Sequence, residues 1–81
     1  MKGPVIKRIA EEIKDVESVE MIRLRRSGPV VLGEIEIRVP SKMTVKEFNS
    51  IKHKINKLSK EKYPEIERIN VTAAIDDETQ L

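Results

Sequence analysis

From Glu34 to Val39 the side chains alternate without a break, Ile35, Ile37 and Val39 against Glu34, Glu36 and Arg38. Successive side chains of an extended strand point to opposite faces, so this segment has one face to bury and one to leave in water. It must therefore belong to a sheet that is covered on one side only. The rest of the chain obeys the same rule. Ile22 and Leu24 oppose Met21, Arg23 and Arg25 in a strand over about Met21 to Arg26. Ser27-Gly28-Pro29 then signals a turn into the second strand, Val30 to Val39. A third strand runs from about Arg68 to Ile75, with Ile69, Val71, Ala73 and Ile75 on one side and Asn70, Thr72 and Ala74 on the other.

Two segments carry the helical period instead. Ile6, Ile9, Ile13 and Val16 recur at three- and four-residue spacing and predict a helix from about Pro4 to Val16. Phe48, Ile51, Ile55 and Leu58, with Val45 at the start, form the stripe of a longer helix from Thr44 to about Tyr63. Thr44 followed three residues later by Glu47 is a capping box, and Pro64 stops the helix. The order α-β-β-α-β, with one apolar face per element, predicts an α+β two-layer sandwich. Both helices then lie on one side of a three-stranded sheet. The first strand is expected in the middle and the outer two parallel, joined by a right-handed crossover through the long helix. The 81 residues form one domain, with a frayed tail at 76–81.

Composition removes whole classes of function. There is no Cys, so neither a disulfide framework nor a thiol nucleophile exists. No apolar run approaches the roughly 20 residues that span a bilayer, and no signal peptide is visible, which makes a cytoplasmic setting the expectation. His53 stands alone between Lys52 and Lys54, off the apolar stripe, and reads as an exposed helix histidine. Glu34 and Glu36 have arginine neighbours and read as ion-pair members rather than as a general acid and base. An enzyme is not expected. The long helix carries six lysines against two glutamates, a basic surface that could meet an anionic partner. No strand, however, carries an aromatic ring for base stacking, so nucleic acid is not the expected partner. With two aromatic residues and no staple, so short a chain has a thin core, and small domains in that position often oligomerise. The uncovered face offers Arg23, Arg25, Glu34 and Glu36 as candidate dimer contacts.

Several segments, in order and at matching spacing, resemble the C-terminal cytoplasmic domain of the cation diffusion facilitator transporters. They are Val19 to Gly28 with its arginines, Glu34 to Val39, the helix opening Thr44-Val45-Lys46-Glu47-Phe48, the ending Tyr63-Pro64, and Glu67 to Val71. The resemblance implies a ferredoxin-like, metallochaperone-like α-β-β-α-β fold and a homodimer on the cytoplasmic face of the membrane. There it would hang from the membrane domain of a zinc-type divalent cation efflux transporter and regulate it. The domain would not move ions itself. It also implies metal sites, and here the sequence departs from the family. Asn49, Thr72 and Ala74 stand where family members carry ligands, and only Glu20, Glu36 and His53 remain as candidates. Zinc or another divalent cation is thus expected to bind weakly, because zinc wants three or four converging ligands. The alternative is a stand-alone metal- or ligand-binding αββαβ module, and a nucleic-acid-binding domain ranks third.

Overall fold

The computed structural model describes residues 2–74. They form α1 (Lys2–Glu11), β1 (Ser18–Ser27), β2 (Val30–Arg38), α2 (Val45–Lys62) and β3 (Ile66–Ala74). The α+β architecture is the expected one: a three-stranded sheet with α1 against β1 and α2 against β3. Between them lies an almost wholly aliphatic core built from Ile6, Ala10, Ile35, Ile37, Ile51, Ile55, Ile66 and Ile69 with their neighbours. Ile75 and the tail 76–81 lie outside the described residues.

Local chemistry sets the element ends. The Thr44 Oγ1 accepts the Glu47 backbone N–H at 3.1 Å, and the Glu47 carboxylate accepts the Thr44 N–H at 2.9 Å. This is the reciprocal box read from the sequence. Gly28 adopts φ 61° in the two-residue turn between β1 and β2, a conformation that costs glycine little. α1 is shorter than expected. After Glu11 the chain closes in tighter turns, Ile13 N–H to Ala10 C=O and Val16 N–H to Ile13 C=O, and Asp15 sits at φ 77°. Ile13 is still buried, so the expected stripe is kept while the helix is not. The reversal lets the Glu17 N–H reach the Arg38 C=O at 2.8 Å and start the β1–β2 ladder.

The strand order corrects the expectation. The sheet runs β1-β2-β3, with β1 antiparallel and β3 parallel to β2. β2, not β1, is central. Its inward residues Val31, Ile35 and Ile37 are sealed by neighbours on both sides, whereas Val19, Ile22 and Leu24 of β1 are only half-buried. The arginines and the register shift at Glu20 are features of an outer strand. Gly33 marks the narrowest point of the central strand. A methyl group there would come within 2.8 Å of Leu24 and 3.2 Å of Ile69, which close over it from the two flanking strands. In α2 the buried line is Ile51, Ile55 and Ser59. Leu58, expected on the stripe, is 41% exposed, and Val45 is 77% exposed.

Candidate functional site on the uncovered sheet face

Among the described residues no helix covers the second face of the sheet, and the register sorts its residues into rows. Met21, Glu36 and Thr72 are neighbours, then Arg23, Glu34 and Asn70, then Arg25, Leu32 and Arg68. Arg23 and Glu34 form an ion pair at 3.6 Å between largely exposed side chains, worth about 0–1 kcal/mol. The next row breaks the alternation of charge, because two guanidinium groups flank Leu32. A cleft of about 140 Å³ opens among Arg23, Arg25, Leu32, Glu34, Arg68 and Asn70. Arg68 was not a candidate from sequence alone. Only the parallel register of β3 against β2 brings it beside Leu32 and into line with Arg25.

The far end of the face has a different character. Glu20 is the extra residue where the β1–β2 register shifts between Val19 and Met21. Its carboxylate accepts the Ser18 hydroxyl at 2.6 Å and the Arg38 Nε–H at 3.4 Å. The Ser18 hydrogen bond first, and then Arg38, hold its pKa below the usual 4.5. Glu36 sits half-buried between Met21 and Thr72. His53 is exposed on α2, two residues from each of the buried Ile51 and Ile55, and so on the side of the helix turned away from the sheet. The three candidate ligands are therefore split. Glu20 is engaged by Ser18 and Arg38, Glu36 lies on the uncovered face, and His53 lies beyond the helix layer. Among the described residues no three His, Cys, Asp or Glu side chains gather closely enough to hold a metal ion. Among the described residues the donor set of one chain does not fit a zinc centre.

A further contact went unseen in the sequence. The Asn56 amide, on a helix otherwise rich in lysine, reaches β3. Its Oδ1 accepts the Ile69 N–H at 2.8 Å and its Nδ2 donates to the Ile69 C=O at 2.9 Å. The only hint is an amide one position after the buried Ile55. Near the start of α1, Lys2 pairs with Glu65 at 2.9 Å and lies 5.3 Å from the centre of the Tyr63 ring. Among the described residues no helix is long and apolar enough to cross a membrane.

A family model for the cytoplasmic domain of cation efflux proteins matches residues 4–72. A triply substituted MamM C-terminal domain superposes with a TM-score of 0.75 at 26% identity, over 89% of this chain and 88% of that one. A singly substituted variant of the same domain gives a TM-score of 0.77 at 24% identity, over 91% and 92%. A copper form of a further variant gives 0.75 at 25% identity, over 89% and 90%. A search of functionally curated proteins finds no significant match. The match over nearly the whole described chain settles its family: it is a cytoplasmic domain of the cation efflux family.

Proposed function

We propose that the chain regulates a divalent cation efflux transporter as a homodimer that pairs through the Met21–Glu36–Thr72 end of its uncovered face. The observation that carries this reading is a three-stranded sheet, in a dimer-forming family, with one face bare. A two-fold interface sets the same patch against itself, so the patch must be self-complementary. The arginine end would set like charges together. At the other end Arg38 is already balanced by Glu20, and the rest is Met21, Thr72 and the single carboxylate of Glu36. Of the expected interface residues, Glu36 belongs to this half and Glu34 borders it, while Arg23 and Arg25 lie towards the other. Catalysis is not part of the role, which follows the cation efflux cytoplasmic domain that the chain matches. A divalent ion binds weakly, because the ligand candidates do not converge.

Sedimentation tests the reading. The wild-type chain should be a dimer without added metal, and Glu36→Lys should shift it to monomer more than Arg25→Glu does. A wild-type monomer at high concentration would overturn the dimer. On the metal, calorimetry should find no sub-micromolar zinc site; such a site, abolished by His53→Ala, would overturn weak binding.

A further inference from the structure

We infer that the cleft among Arg23, Arg25 and Arg68 is a binding site for a phosphate-class dianion. The first support is placement. Arg25 and Arg68 sit on the outer strands directly opposite Leu32 of β2, so their backbones are about 10 Å apart across two strand spacings. Long side chains from both sides can then close over one small ligand, and Arg23 stands on the same face two residues along β1.

The second support is charge. Neighbouring strands on an exposed face usually answer positive with negative, as Arg23 and Glu34 do. The side chains of Arg25 and Arg68 make no ion pair or hydrogen bond among the described residues, and an aliphatic side chain stands where an acid would balance them. Three guanidinium groups and one carboxylate leave two positive charges around the cleft, the complement of a dianion. Chemistry supplies the third support. Guanidinium groups offer paired N–H donors in a planar fork that matches phosphate oxygens, and the Asn70 amide adds another donor at the rim. A space of about 140 Å³ suits a phosphoryl group rather than a large ligand. The ligand is either a soluble phosphate or the phosphomonoester headgroup of a lipid. The inference does not rest on the dimer.

The test titrates the full chain with inorganic phosphate by calorimetry at low salt, with sodium chloride at equal ionic strength as reference. Arg25→Gln and Arg68→Gln should each weaken phosphate binding about tenfold or more. Lys57→Gln, on the exposed side of α2, should leave it unchanged. Co-sedimentation with phosphatidylcholine vesicles, with and without phosphatidic acid, runs in parallel. Binding to the phosphatidic acid vesicles alone, lost in the same two variants, assigns the headgroup; binding of free phosphate assigns a soluble anion. Sedimentation of the same samples reads the dimer separately, so loss of anion binding in an intact dimer keeps the two readings apart. Wild-type protein that binds neither phosphate nor phosphatidic acid vesicles, or arginine variants that bind as well as Lys57→Gln, would overturn the site.

Discussion

On the helix-covered face of the sheet Ile35 and Ile37 are 1% and 0% exposed, while on the other face the side chains of Arg23 and Glu34 are 69% and 51% exposed. The same three strands build both. On the covered face one requirement, exclusion of water, selects nearly every residue, and aliphatic side chains answer it from Val31 to Val71. On the open face water accepts any polar side chain, so the residues there are free to serve recognition instead. The covered face thus holds the fold together and leaves the open face as the surface on which recognition can act.

The largest effect that would sharpen this contrast is in the core. Ile55→Ala, at a fully buried position, should lower stability by about 2–5 kcal/mol, read from the urea midpoint. Arg23→Ala on the open face should stay within about 1 kcal/mol in the same assay. Comparable losses would erase the distinction between the faces.

A middle effect lies at the border of the two regions. Asn56→Ala removes both bonds to Ile69 and should cost about 1–3 kcal/mol by denaturant unfolding. A neutral result would mean that water replaces the amide and that α2 is held by its apolar stripe alone.

What the sequence made legible follows from the same contrast. Ile35 and Ile37 announced their strand, and Thr44 with Glu47 announced the start of α2, because burial and capping are local demands met by residues near one another in the chain. Strand order was not legible in this way. It depends on which neighbour α2 delivers β3 to, and β1 and β2 have similar alternation until their burial can be compared. The burial of Ser59 in place of Leu58 turns on a small rotation of α2 that the apolar stripe does not specify. Its hydroxyl is buried with no hydrogen-bond partner among the described residues. The candidate site was legible only in part. Arg23, Arg25 and Glu36 were assigned to the open face, but Arg68 joins them only through a register set 36 residues further along the chain from Leu32.

The smallest expected effect is electrostatic and confined to acid. Hydrogen bonds from Ser18 to Glu20, and from Lys2 to Glu65, hold both carboxyls below their ordinary 4.5. A carboxyl whose pKa is lowered on folding stabilises the fold above its unfolded value, and that contribution is lost as pH falls through the folded one. The urea midpoint of the wild type should therefore decline below about pH 4.5 more steeply than that of a Glu20→Gln, Glu65→Gln variant. Parallel curves would show that these partly exposed pairs add nothing to the stability of the fold.

The Asn56 amide has a consequence for how copies of the domain can meet. At Ile69 it occupies the N–H and C=O that an incoming strand would need, so the ladder cannot simply be continued past β3 at that point. A second chain that tried to extend the sheet would first have to break both bonds. The side chain acts as a stop against runaway strand addition at that edge, whereas the proposed two-fold pairing across the face of the sheet would close on itself rather than grow into a fibre.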